Sequence, residues 1–423
     1  MIGILLFFII YCFKNFKHAV FATAVIWVIM PQWSSGITGV KLAYIVIIFQ
    51  CMFYFVWIRM NKREVCLDSY PKWIGIPCAL AGLGYMLSNQ FGDMHNLPIT
   101  VVNIINYFLY PYIVFKLIKS KRDLLVYTKV MFTFFVIVCG YAIVEAVLFR
   151  NIIVEIAQEM NLIEGIMGTE DVEERFGFAR CSSILSYSSA LGMTSSITFF
   201  IYLYLKSKGF SIGKIKDRLL LILLPLCVLL SGTRSQMIVF VVCVLPFMFY
   251  ENFKKTKTYK VMLTMGGLAI LLFSSFFLMI VDSIIHSDKT GGSSSEMRME
   301  QLGVCLLYFE SAPWFGHGKN YIWEYVRPVH PELLGAESVW FAMIVDYGIV
   351  GCITYLLIII GLVVWLYRYD KILCFLPLAF LVGKTISIVI GIELNYVIIT
   401  SIVLVKIHQL MSNTPHEAKY ITA

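Results

Sequence analysis

Apolar runs of helical length recur along almost the whole chain: 2–13, 18–31, 40–58, 73–88, 98–115, 124–148, 182–205, 219–231, 236–250, 261–281, 347–366, 372–390 and 395–409. Nothing constrains the fold more. The runs lack the strict alternation of barrel strands, and in lipid only a helix satisfies its own backbone hydrogen bonds without a closed sheet. Composition agrees: 59% of the 423 residues are hydrophobic and 14% charged, against roughly 25% charged in soluble domains. With a mean hydropathy of +0.81, the chain has too little charge to cover a soluble core. A soluble enzyme, a secreted disulfide scaffold, a disordered chain and a nucleic-acid-binding protein are excluded. The expectation is an all-α polytopic membrane protein with about 12–13 transmembrane helices.

The opening MIGILLFFIIYCF has no cation before its apolar run, since Lys14 is the first. It reads as a short first span, not a cleavable signal. The net charge of +8 reports topology. Segments 14–17, 59–72, 116–123, 206–218, 251–260 and 367–371 hold 21 Lys and Arg, whereas 31–41, 149–181, 232–235 and 282–336 hold 9. By the positive-inside rule the first set is cytoplasmic. The organisation expected is N-terminal membrane helices over 1–148, an outer loop at 149–181, and membrane helices over 182–281 with a sunken hairpin tip at 231–235. A large outer loop with short helices follows at 282–346, then C-terminal membrane helices over 347–409 and a cytoplasmic tail at 410–423. The first outer loop carries Glu170, Asp171, Glu173 and Glu174 ahead of Arg175 and Arg180; the second opens with TGGSSSE. The eleven cysteines form no CxxC pair and read as small buried apolar residues, Cys181 and Cys305 being the pair placed where a bridge is conceivable.

Residues 219–250 must leave a cytoplasmic boundary and return to one within 32 residues. Two legs of about 15 residues reach only ~22 Å, short of the ~30 Å hydrocarbon layer. The tip Ser231-Gly232-Thr233-Arg234-Ser235 therefore holds Arg234 below the outer surface. A cation at that depth is retained where it pairs or serves an anionic ligand; the bland alternative is an Arg that snorkels outward. Arg grips phosphate bidentately at any relevant pH, so Arg234 with Arg175, Arg180 and Arg298 reads as a pyrophosphate cradle. Taken singly, each of the last three reads as a loop cation or an ion-pair partner.

A third constellation is Glu337-Ser338, then VWFAMIVDY, then Gly348-Ile349-Val350-Gly351. Glu337 reads either as a dipole-stabilising residue at a helix start or as a general base at the membrane boundary. Asp346 lies deeper, as a substrate contact or a structural partner for an Arg. Trp314, Phe315, Tyr321, Trp323 and Tyr325 suit sugar faces or the membrane interface. His95, His286, His317 and His330 match no metal-ligand spacing; His317, beside Gly318 and Lys319, is a candidate substrate contact together with Lys319.

Taken in order, these features are a sunken S-G-T-R-S tip and a large outer loop containing an Arg. Next come an aromatic turn at Gly316-His317-Gly318, a polar pair, nine residues and G-x-x-G. The order resembles the O-antigen ligase and O-antigen polymerase superfamily of integral-membrane glycosyltransferases, over roughly residues 170–365. In the ligases the polar pair begins with His; here it begins with Glu337, which favours a polymerase of lipid-linked repeat units. The stretch Arg175 to Gly192 also looks like the arginine-containing outer segment of the polymerases. The resemblance implies a GT-C-like fold with two large outer loops. It also implies a multi-pass location in the bacterial cytoplasmic (inner) membrane, with the active site facing the periplasm or exterior. The substrates it implies are undecaprenyl-pyrophosphate-linked glycans of O-antigen lipopolysaccharide or capsule, with inverting, metal-independent transfer and no cofactor. It assigns Arg234, Arg298 and Arg175 or Arg180 to the pyrophosphate and Glu337 to deprotonating the acceptor hydroxyl. A chain-length regulator and a flippase are the further partners it points to.

Two alternatives compete. An O-antigen ligase or protein O-oligosaccharyltransferase shares fold and donor, and differs at the acceptor. A secondary transporter or flippase calls for paired halves with midplane ionisable residues, whereas spans 40–58, 73–88 and 98–115 carry no charge beyond Lys41 at the edge of the first, and so none at depth to match Arg234. A purely structural subunit leaves the charged hairpin tip unexplained.

Overall fold

The computed structural model describes residues 9–26, 28, 30, 41–160, 174–175, 178–185, 187–272, 274, 278, 295–333, 336–387 and 392–411. Several expected features fall outside them: the first residues of the opening span, the acidic run Glu170 to Glu173, His286, most of TGGSSSE and the tail from 412.

The protein is an all-α polytopic membrane protein. Its helices are α1 (Phe16–Ile26), α2 (Leu42–Met60), α3 (Lys72–Phe91), and α4 (Leu97–Ile104), which runs through a π turn into α5 (Tyr110–Leu117). Next are α6 (Lys121–Leu148), α7 (Ile152–Glu159), α8 (Ser188–Ser207), α9 (Lys214–Leu230), α10 (Arg234–Phe249) and α11 (Lys257–Leu272). The chain continues through α12 (Ser295–Ser311), α13 (Val339–Tyr367), α14 (Phe375–Ile386) and α15 (Leu394–Met411). Two dipeptides, β1 (Glu174–Arg175) and β2 (Phe178–Ala179), pair antiparallel with Arg175 opposite Phe178. Among the described residues six stretches have the length and apolarity to cross a bilayer, fewer than the expected 12–13 spans; α1 and α10 are apolar but shorter. Of the other expected spans, 2–13, 18–31, 261–281 and 372–390 lie partly outside the described residues, and 219–231 and 236–250 belong to helices of 17 and 16 residues.

α8 and α15 form the centre, with 94% and 83% of their apolar windows buried. Small residues allow close helix approach in membranes. A Cβ on Gly361 of α13 would meet the Trp73 carbonyl of α3 at 2.0 Å, and one on Gly192 of α8 would meet Ser231 Oγ at 2.7 Å.

The two classes of connecting segment gather at opposite ends. Lys17 reaches Glu64 and Asp123, Lys116 donates to the carbonyls of Cys66 and Asp68, Lys208 pairs with Asp370, and Tyr250 donates to Asp370. All these lie in or beside cation-rich segments. At the cation-poor end, Cys181 N donates to Leu230 O and Asp93 N to His317 O.

Glu145, near the end of α6, docks the chain that follows the first long loop. Its carboxylate accepts from Ser182 N (3.1 Å), Ser183 N (2.6 Å) and Asn151 Nδ2 (3.0 Å). Glu145→Ala removes the acceptor of the Ser182 and Ser183 N–H groups, each costing about 1–3 kcal/mol when buried and unsatisfied, while Asn151 Nδ2 keeps Ser183 O and Ser182 Oγ as partners. The expected result is a large drop in melting temperature in detergent, with Glu145→Gln intermediate because one acceptor oxygen remains.

Candidate active site at the hairpin tip

The expected hairpin is present, its legs α9 and α10 being 17 and 16 residues long. At 1.5 Å per residue they reach about 26 and 24 Å, less than a hydrocarbon layer. The start of α9 is fixed at the cation-rich end, where Asp217 pairs with Lys206 and accepts from Ser211 Oγ, and Lys216 donates to Thr133 Oγ1. The tip thus lies one short helix away from the cation-rich end.

At that tip α9 ends on Ser231, Gly232 takes φ 59°, and α10 begins at Arg234. Thr233 Oγ1 donates back to Ser231 O, and no side-chain hydrogen bond caps the start of α10. The first N–H groups of a 16-residue helix thus begin at Arg234, adding a positive partial charge to its guanidinium. Arg234 is half-buried, between the buried Thr233 and Ser235.

Other cations approach this turn from three directions. Half-buried Arg180 precedes Cys181, whose N–H is bonded to Leu230 at the end of α9. Tyr187 precedes Ser188, whose Oγ lies 3.5 Å from Thr233 Oγ1. Burial raises the Tyr187 phenol above its ordinary pKa, and the charge of Arg327, within electrostatic reach of it, partly offsets the rise. Arg298, on α12, donates to the Ile386 carbonyl at the end of α14 (2.9 Å). α14 packs on α10, Gly383 lying against Val239. Three residues past Gly383 is ~4.5 Å and five before Val239 is ~7.5 Å along antiparallel helices. Ile386, with Arg298 upon it, therefore lies near the level of Arg234. Arg175 is in β1, and its side chain lies outside the described residues.

Glu337 meets Arg298 directly, at 3.5 Å, and its side chain is 31% exposed. Its N–H donates to Gln301 Oε1 (3.2 Å), while Ser338 supplies the cap to α13 by accepting from Trp340 N. The cap is thus Ser338, and Glu337 is left as a reachable carboxylate beside a guanidinium.

α13 doubles back on itself. Rings of Trp340 and Tyr355 are 5.7 Å apart, although fifteen residues of straight helix would separate them by ~22 Å. The break is Gly348, at φ 62° and ψ −159°, a conformation essentially confined to glycine. Backbone groups freed there are taken up by the aromatic turn. Ile349 N and Val350 N donate to Pro313 O and Trp314 O, and His317 N and Gly318 N donate to Val345 O and Asp346 O. A Cβ on Gly348 would meet Pro313 O at 2.7 Å, and one on Gly316 would meet Asp346 C at 2.5 Å. The G-x-G and G-x-x-G spacings thus belong to one backbone interlock. Gly348→Ala should cost about 2 kcal/mol or more, read as reduced abundance and melting temperature.

The remaining candidates distribute around that interlock. Asp346 is buried and accepts from Asn320 N (2.9 Å) and Ile322 N (3.0 Å), so its structural partners are backbone donors and not an Arg. The His317 ring lies 2.8 Å from Tyr308 O and 3.0 Å from Ser311 Oγ, and stacks on Tyr321, which stacks on Tyr325. Lys319 lies over the Tyr347 ring at 6.0 Å. Trp314 is 65% exposed. Cys181 and Cys305 are free thiols that burial raises to about 12.

The stretch that builds the hairpin, the Arg298–Glu337 pair and the fold-back is one continuous piece of chain. Residues 219–356 match the O-antigen ligase family model. The match supports the O-antigen ligase and polymerase superfamily and a membrane enzyme that processes lipid-linked glycans. No curated protein matches the chain. The O-antigen ligase match opens in α9 and closes in the second arm of α13, so Arg234, Arg298, Glu337 and Asp346 all fall within it.

Sequence reasoning missed three groups here. Arg327 is one of four cations in the 282–336 segment, and no spacing sets it apart. Trp340 donates through Nε1 to Thr385 Oγ1 (3.0 Å), tying α13 to α14. Lys384 and Glu393 form an ion pair at 3.7 Å; an ionisable residue inside an apolar run is a signal in its own right, and Lys384 sits inside 372–390.

Proposed function

We propose that this protein is a polymerase of undecaprenyl-pyrophosphate-linked oligosaccharide repeat units, acting on the outer face of the bacterial cytoplasmic membrane. The observation that carries the reading is Arg234 at the tip of a short hairpin, near the level of the paired Arg298 and Glu337. In the proposed reaction the Glu337 carboxylate takes the proton of an acceptor-sugar hydroxyl. The freed oxygen attacks the anomeric carbon of the donor, and the bond from that carbon to the pyrophosphate oxygen breaks. Undecaprenyl pyrophosphate leaves with the negative charge that develops, which Arg234, the N-terminus of α10 and Arg180 stabilise. Attack opposite the leaving group inverts the anomeric centre. Arg298 holds Glu337 in place.

Glu337, where the ligases have His, favours polymerase over ligase. A chromosomal deletion separates the two. Loss of a polymerase leaves single repeat units on the lipid acceptor; loss of a ligase leaves none, and that outcome would reassign the acceptor. A chain-length regulator and a flippase are proposed partners on the same reading.

A further inference from the structure

A charged cleft lies at the cation-rich end, opposite the hairpin tip, and the proposed reaction makes no use of it. It encloses about 420 Å³ between the segments before α3 and after α5, the residues just past α13 and the last turns of α15. That volume falls within the roughly 300–1,000 Å³ of small-molecule sites. Its charged lining is Asp68, Lys119 and Lys406. Lys406 sits inside α15, ahead of the helix end at Met411, and its side chain is 3% exposed. An ionisable residue buried in a membrane helix is rare and marks a functional site by default. Its ammonium meets Asp68 Oδ2 at 3.2 Å and Cys66 Sγ at 3.4 Å, and stands 4.5 Å from the centre of the Phe115 ring. An ammonium has three donors and a thiol is a weak acceptor, so Lys406 has capacity for a stronger one. The neutral groups beside it are tied to each other or to the bundle: Gln409 donates to the Tyr369 hydroxyl (3.3 Å), and His408 Nδ1 lies 2.8 Å from the Tyr204 hydroxyl.

The carboxylate is the replaceable member of this cleft. The Asp68 side chain is 61% exposed and free to turn to water, whereas the Lys406 ammonium is enclosed. A phosphate oxygen in the place of Asp68 takes the same donor, and exposed Lys119 brings a second cation. Lys116 donates to the carbonyls of Cys66 (3.2 Å) and Asp68 (2.6 Å), which fixes the backbone there and adds to the positive field. The surroundings are those of a membrane boundary. Leu67, next to Asp68, is 90% exposed, and Trp73 at the start of α3 carries the Arg368 guanidinium 4.7 Å from its ring. Exposed groups of this kind sit at the level of lipid headgroups, and Leu410 gives the cleft an apolar wall. A phosphate borne by a lipid therefore suits it better than one free in solution, and basic pockets between helices at the cytoplasmic side take anionic headgroups.

We propose that this cleft binds the phosphate headgroup of an anionic phospholipid from the leaflet at that end, with Lys406 and Lys119 as its cations and Asp68 as the counter-ion that the headgroup displaces. The test titrates purified full-length protein in detergent with phosphatidylglycerol, phosphatidylcholine and inorganic phosphate, and counts retained lipid by native mass spectrometry. Phosphatidylglycerol should bind about tenfold or more tightly than phosphatidylcholine. Lys406→Met should weaken its binding about tenfold and Lys119→Gln about fivefold. Asp68→Asn should instead tighten it about fivefold, because the headgroup no longer competes with a carboxylate. Lys119→Gln and Asp68→Asn alter exposed side chains and leave the buried helix faces intact. The site would be overturned by an Asp68→Asn protein that binds phosphatidylglycerol no better than wild type, or by Lys119→Gln and Lys406→Met proteins that bind it equally well. Displacement of the lipid by inorganic phosphate would overturn it too, by giving the cleft to a soluble phosphate compound. Lipid retention is read without any turnover at Arg234, so its outcome is separate from that of the polymerase reading.

Discussion

Arg234→Ala should abolish measurable chain elongation while the protein still inserts and accumulates as wild type does. Removing one preorganised donor to a developing oxyanion costs about 10²–10³ in rate, or roughly 2.7–4 kcal/mol. A full guanidinium in a low-dielectric setting belongs at or above the upper end. Arg234→Lys should fall between the two, because an ammonium keeps the charge and loses the bidentate fork. The assay is elongation of extracted lipid-linked repeat units by purified protein, with abundance measured in parallel on isolated membranes. Ser231, Thr233 and Gln236, all buried around the turn, supply the control: if Arg234→Ala lost the protein from the membrane, the guanidinium would be a structural group of the hairpin.

Glu337→Gln should lower elongation by about 10²–10⁴, the range associated with a positioned general base. Glu337→Asp should retain part of the activity, since a shorter carboxylate still titrates. The contact at 3.5 Å with Arg298 sharpens the test. If Glu337 served only to hold Arg298, Gln would retain a weaker hydrogen bond to it, Asp and Gln would behave alike, and Arg298→Lys would be harmless. A base instead separates Asp from Gln by at least an order of magnitude at equal abundance.

Much of this arrangement is legible in the chain itself. The hairpin length follows from two cation-rich boundaries 32 residues apart and a single Arg between them, and the structure has that turn with Arg234 at the first position of α10. The nine residues between Glu337-Ser338 and Gly348 become one short arm, ended by a glycine conformation. Three things were hidden. Run length does not reveal whether a helix crosses the bilayer or folds back, and only the closeness of Trp340 to Tyr355 decides it for α13. Asp346 and His317 carry chemically versatile side chains, yet their hydrogen bonds go to nearby backbone groups and, for His317, to Ser311 Oγ, which no residue spacing announces. Lys384 and Glu393 sit nine residues apart at the end of an apolar run and the start of the next, and their pairing becomes visible only once α14 and α15 are side by side.

Thiol labelling at the hairpin tip tests the central claim most directly. Arg234→Cys in intact cells should react slowly with a small charged methanethiosulfonate added from outside and hardly at all with a bulky maleimide, and inorganic pyrophosphate should slow the reaction with the small reagent further for Ser235→Cys, which leaves Arg234 in place. Reaction of position 234 only from the cytosolic face of inverted vesicles, or equally fast reaction with small and bulky reagents from outside, would contradict it.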